Sequence, residues 1–151
     1  MKKINLILIA FFFGFPISGF CEEPIAGSIK YIHGEAHVIR ASTPMETQAG
    51  DKVFQNDLLK TGKTGRLAMV FKDDTLLSLG PESEVVINEF LFSPAEGHLS
   101  LITRLMKGTC AYISGIIAKL SPESVRFETP VANIGIRGTK FAVSVQDPPQ
   151  K

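Results

Sequence analysis

The sequence predicts an all-β domain carried behind an export signal, and three observations lead there. Short apolar runs with period-two alternation recur about every 8 to 12 residues, with glycine or proline between them. No long stretch with a helical period follows the N-terminal segment. Lys2 and Lys3 precede the apolar run INLILIAFFFGFPISGF, Ile4 to Phe20, which is the order of a secretory signal peptide.

The leader comes first. Its apolar run is at the short limit for spanning a bilayer, which takes about 20 residues, and Pro16 interrupts a helix there. Gly19 and Cys21 supply small side chains for cleavage after Cys21, so residues 1–21 are predicted to be a signal peptide and no stable membrane span is expected once it is removed. Phe20 is bulky where a lipoprotein signal wants a small residue. From Glu22 onward the chain suits one domain with a real core. Of the 16 basic residues, Lys2 and Lys3 fall in the leader, leaving 14 against 15 acidic ones. That balance gives no basic face for nucleic acid. Cys110 is the one cysteine beyond the leader, so no internal disulfide is expected, and its place in GTCAYISG reads as a buried small hydrophobe.

The strands follow in order. In GSIKYIHGEAHVIR, Ile29, Tyr31 and His33 alternate with their neighbours, Gly34 breaks the run, and Ala36, Val38 and Arg40 resume it. STPMETQAGD reads as a turn. DLLKTGKTGRLAMVF gives a strand, a glycine turn over Gly62 to Gly65, and a strand from Arg66 to Phe71. Lys72 to Thr75 is a polar turn, and Gly80-Pro81 a second. Val85, Ile87 and Glu89 are placed on one face, and Val86, Asn88 and Phe90 on the other. FSPAEGH is a loop; Leu99, Leu101, Thr103 and Leu105 alternate; Lys107-Gly108 reads as a turn; Ile116 to Leu120 fits a short helical turn; and SPES turns again before VRFET.

The closing stretch TPVANIGIRGTKFAVSV, Thr129 to Val145, carries the sharpest pattern. Pro130 cannot donate to a strand ladder and marks an edge or bend. Gly135 and Gly138 are read as positions needing backbone angles that a side chain forbids. Phe141, Val143 and Val145 alternate with Lys140, Ala142 and Ser144. Ile134 to Thr139 is therefore a tight corner between strands, with Arg137 in it. Two roles fit that arginine. Its five donors in a fixed plane suit capping of carbonyls or a carboxylate at the corner; pointed outward, it would hold an anion. Donor geometry favours the first.

The chain carries few residues in patterns that suit catalysis or ligation. HGEAH holds His33, Glu35 and His37, but on an extended strand four steps of about 3.3 Å part the histidines by roughly 13 Å. Asp73-Asp74 lacks the spaced oxygen ligands of a calcium loop and reads as a solvated turn. Ser114 and Ser121 have no histidine–acid pattern beside them, and His98 stands alone in a loop. No catalytic residue, metal ligand set or cofactor motif is assigned.

The closing stretch resembles the signature that ends the FecR-type periplasmic domain: Thr-Pro-x-Ala, an apolar-Arg-Gly-Thr corner, then Phe-x-Val. Thr129, Pro130, Ala132, Arg137, Gly138, Thr139, Phe141 and Val143 match it, and Gly135 falls within it. The TGxxGR turn and the LGPxSxVxI strand resemble the family's middle, and GSIKYIHGEAHVIR its opening strand pair; Asp74 stands where glycine is common in that middle segment. The resemblance implies a single compact β-solenoid-like or sandwich-like domain over residues 22–146, with 147–151 a polar tail. It implies a noncatalytic module for binding and signalling between proteins, periplasmic or secreted in a Gram-negative-type envelope; the expected partner is another envelope protein, with a glycan as the alternative. The best-known members regulate a sigma factor from the membrane; with only Met1 to Lys3 ahead of the apolar run, direct sigma-factor regulation is not expected here. The alternatives are a structural, self-associating envelope protein and an unrecognised periplasmic hydrolase.

Overall fold

The computed structural model describes residues 24–138 and 140–146. The predicted signal peptide, Thr139 and the polar tail lie outside the described residues. Twelve strands are joined in one continuous, mostly antiparallel sheet that curls into a half-barrel. They are β1 (Ile25–His33), β2 (Ala36–Arg40), β3 (Thr43–Glu46), β4 (Lys52–Phe54), β5 (Leu58–Thr61), β6 (Arg66–Phe71), β7 (Leu76–Leu79), β8 (Glu84–Ser93), β9 (His98–Ile113), β10 (Val125–Glu128), β11 (Asn133–Gly135) and β12 (Lys140–Val145). A single helix, α1 (Ile116–Leu120), and two 3₁₀ turns complete the described residues. All-β was the predicted class.

The architecture is set by β9, which belongs to both arms of the curl. Its first part, His98–Lys107, pairs with β8, and Leu101–Arg104 pair in parallel with β10. Its last part pairs with β7 over Cys110–Ile113 and with β12 over Gly108–Ile113. One arm therefore runs β3-β2-β5-β8-β9-β10-β11 and the other β4-β1-β6-β7-β9-β12. Lys107-Gly108, predicted to be a turn, is the place where the strand crosses from one arm to the other. Gly108 has φ of 86° and a Cβ there would strike Ser83, so only glycine suits the crossing. Ser83 secures it: its hydroxyl accepts from the Thr109 N–H at 2.8 Å and lies 3.0 Å from the carbonyls of Thr109 and Pro81. Thr61 joins from β5, its hydroxyl donating to the Gly80 carbonyl at 2.7 Å and accepting from the Ser83 N–H at 2.9 Å.

The core fills the space between the arms. Phe71, Met69, Leu77, Ile29 and Tyr112 on one arm face Ile87, Phe90, Leu101, Leu105 and Phe127 on the other, all buried. Phe71 stacks on Phe90 with ring centroids 5.6 Å apart. Two β-bulges correct the predicted faces. A register shift between Ile29 and Tyr31 turns Tyr31 outward, and one between Ile87 and Glu89 turns Phe90 into the core. A bulge inserts one residue and flips the alternation that follows it. STPMETQAGD is also more than a turn: Ala41 and Ser42 take positive φ of 47° and 66°, and β3 follows as a fully exposed edge strand. With no buried face it leaves no alternation to read.

Candidate functional site: the C-terminal corner and edge strand

The Thr-Pro-x-Ala segment closes the β10–β11 hairpin. The Thr129 hydroxyl accepts from the Ala132 N–H at 2.9 Å and lies 3.0 Å from its carbonyl, while the Thr129 N–H donates to that same carbonyl at 2.8 Å. Thr129 is buried and Pro130 occupies the bend, so threonine knots the turn and proline stiffens it. Val131 at the tip is 91 % exposed.

The chain then turns toward the other arm. Ile136 is buried and pins the corner to the core, an anchor that the sequence pattern passed over. Gly138 has φ of 61°, in the left-handed region, as expected. Gly135 does not share that property. It pairs with Arg126 as the last residue of β11, and no positive φ occurs there. Arg137 also differs from expectation. It is exposed, and among the described residues it makes no hydrogen bond or ion pair. Its charge contributes, after hydrogen bonds from Ser121 and the Glu123 backbone, to holding the Glu123 carboxyl below its ordinary range. Among the described residues the corner is held from beneath by Ile136 and by the Thr129 turn.

β12 docks on β9 from Lys140↔Ile113 to Val145↔Gly108 without a register shift. Phe141, Val143 and Val145 face inward, half-buried, and Lys140, Ala142 and Ser144 outward. Phe141 stacks on Tyr112 at 5.1 Å and meets Phe127 edge-on at 5.4 Å; Tyr112 and Phe127 are 5.8 Å apart. This aromatic cluster ties β12 to both arms, and such pairs contribute about 0.5–1.5 kcal/mol each beyond burial. The hydrogen-bond phase of the edge follows from Thr109. Its N–H and C=O are engaged on the Ser83 and Gly80 side, so along an antiparallel ladder Ala111 and Ile113 also address β7, and Cys110 and Tyr112 address β12. Phe141, Val143 and Val145 thus bond to β9, and the backbone groups of Lys140, Ala142 and Ser144 point to the free edge. A shallow groove of about 390 Å³ lies on the outer face across β7, β9 and β12, lined by Ser78, Gly80, Thr109, Ala111, Ala142 and Ser144 among others.

The remaining candidates do not converge with this corner. His37 lies 3.3 Å from Glu35, both beside the bend after β1, and among the described residues no group of three or more His, Cys, Asp or Glu could hold a metal. Cys110 is buried, and burial pushes its thiol up to about 12. Asp73 reverses its sequence reading: it is fully buried, and only Asp74, at φ 64°, is exposed. Its carboxylate accepts from the Thr75 hydroxyl at 2.8 Å, the Thr75 N–H at 3.1 Å and the Ile117 N–H at 3.3 Å, and its carbonyl accepts from the Ile116 N–H at 2.7 Å. Asp73 thereby caps α1, more than 40 residues downstream, an interaction with no local signal. The Asp57 carboxylate, also fully buried, is held by the Arg40 guanidinium at 2.7 and 2.8 Å and by the Phe54 N–H at 2.8 Å.

These features define an all-β domain in which Asp57, Asp73 and Ser83 serve the joints of a folded sheet and, among the described residues, the C-terminal strand pairs on one side only. Residues 57–150, more than half of the chain, match the FecR protein family, and the chain belongs to that family. The family is a signalling and regulatory domain of envelope proteins. β1 and β2 precede the matched residues yet pair with β6 and β5 within them. Comparison with curated proteins and with solved structures gives no match.

Proposed function

We propose that this chain is a noncatalytic FecR-type module, exported to the periplasm and cleaved after Cys21, that signals by docking another component of the envelope. Family membership carries this reading. The partner class is a protein, with an envelope glycan as the alternative. The accessible surface suits recognition: Tyr31 and Val131 are large apolar residues exposed at 52 % and 91 %, and exposed aromatic and aliphatic side chains supply binding area. Among the described residues no helix is long and apolar enough to cross a membrane.

The test is photo-crosslinking in the native host, with a benzophenone amino acid at Tyr31 or Val131 and fractionation by osmotic shock. A mature N-terminus at Glu22 and an adduct to one heterologous envelope component are expected. Retention of the intact precursor in the cytosol, or absence of any heterologous adduct from both probes, overturns the proposal.

A further inference from the structure

We propose that the free edge of β12 is a self-association site, pairing antiparallel with β12 of a second copy so that the sheet continues across a two-fold axis. The proposal stands independently of heterologous docking.

Among the described residues, the four strands that end the curled sheet are not alike. β4 and β11 have three residues each. β3 has four and carries Pro44. β12 has six, contains no proline, and keeps an unbroken register with β9. Soluble β proteins blunt their open edges with short strands, prolines, bulges or inward charges, because an open edge is a template for another strand. The other three terminal strands are blunted in that way, and among the described residues β12 pairs only with β9.

A second β12 satisfies the constraints that this edge imposes. In a two-fold antiparallel pair that continues one sheet, opposed residues share a face, so their numbers must sum to an even value. The register that pairs residues 140–146 in full is centred on Val143. It sets Phe141 against Val145 on the inner face, Ala142 against Ser144 on the outer face, and Lys140 against Gln146. No like charges are opposed, and the apolar inner residues meet apolar residues. The hydrogen-bond phase also agrees: Ala142 and Ser144, whose backbone groups point to the edge, become the bonded pairs, and Val143 falls on the axis as a non-bonded pair. The small outer side chains of Ala142 and Ser144 present no obstacle. A pairing of this length belongs with small, transient interfaces, so the dimer forms at high local concentration.

Sedimentation velocity on the purified protein, from about 1 µM to the 1 mM scale on which weak pairings show, reads the outcome. A concentration-dependent monomer–dimer equilibrium is expected. Ser144→Pro removes an edge-facing N–H while sparing the β9 ladder, so it weakens dimerisation by roughly 10-fold or more and leaves the monomer's circular dichroism intact. Independently, Val143→Cys in the chain from Glu22 onward, where Cys110 is buried, oxidised with copper phenanthroline, is expected to give a disulfide-linked dimer, since facing α-carbons of a non-bonded pair sit about 4.5 Å apart. The same change at Tyr31 should not. A protein that stays monomeric throughout, a dimer indifferent to Ser144→Pro, or equal crosslinking from Val143 and Tyr31 overturns the assignment.

Discussion

Asp73→Ala tests the claim that a buried carboxylate in the β6–β7 turn holds helix α1. The wild-type carboxylate accepts from the Thr75 hydroxyl, the Thr75 N–H and the Ile117 N–H, at a site shut off from solvent. Alanine leaves those donors without their acceptor. A buried donor left unsatisfied costs about 1–3 kcal/mol; the penalties are not additive, because the Thr75 hydroxyl can rotate and a water can enter the vacated space. The expected loss is about 3–5 kcal/mol, a large share of the roughly 5–15 kcal/mol that stabilises a domain. In a thermal melt that is roughly 10–20 °C. Urea denaturation followed by circular dichroism gives the free energy directly. Asp73→Asn, which keeps one acceptor oxygen and turns an amide toward the other donors, should recover only part of the loss. Adding Thr75→Val to Asp73→Ala removes an orphaned hydroxyl, and the double variant should be less destabilised than the sum of the two single ones. A loss below about 1 kcal/mol for Asp73→Ala, outside the expected range for orphaned donors, would refute the capping role.

Other expectations concern single groups. Arg137→Ala should change stability by less than about 0.5 kcal/mol, as exposed substitutions away from a packed contact do; a larger loss in a chemical melt would restore a clamping role at the corner. Glu84 is held below its ordinary value of 4.5, first by its hydrogen bond from Lys60 and also by the charge of Lys107. A lowered native value gives stability that is present above the unfolded pKa and lost as pH falls through the native one, so wild type and Glu84→Gln should converge below pH 4.5 in melts across the acid range. Cys110, buried with its thiol pushed up to about 12, should resist a thiol reagent near pH 8 in native protein and react once the chain is unfolded in urea. Rapid native labelling would show that the β9 site opens.

Fold class, family and most strand positions were readable from the residues alone. These depend on short-range physics that composition records: alternation marks a half-buried strand, and glycine and proline mark where a ladder ends. The bend at Pro130 and the positive φ of Gly138 were legible for the same reason, since a ring on the backbone nitrogen or a missing Cβ acts on its own few neighbours. Tertiary structure decided what depends on contacts distant in sequence. The bulges near Lys30 and Asn88 are set by the partner strands, so the outward turn of Tyr31 and the burial of Phe90 were not visible locally. Gly108 looked like a turn because glycine ends many strands, yet Ser83 across the sheet makes it a crossing. Asp73 looked solvated because its charge is polar in any composition, and only the arrival of α1 buried it. Which edge stays open was likewise undecided in the sequence. An edge is defined by the strand that does not lie beside it, and that is a property of the whole sheet.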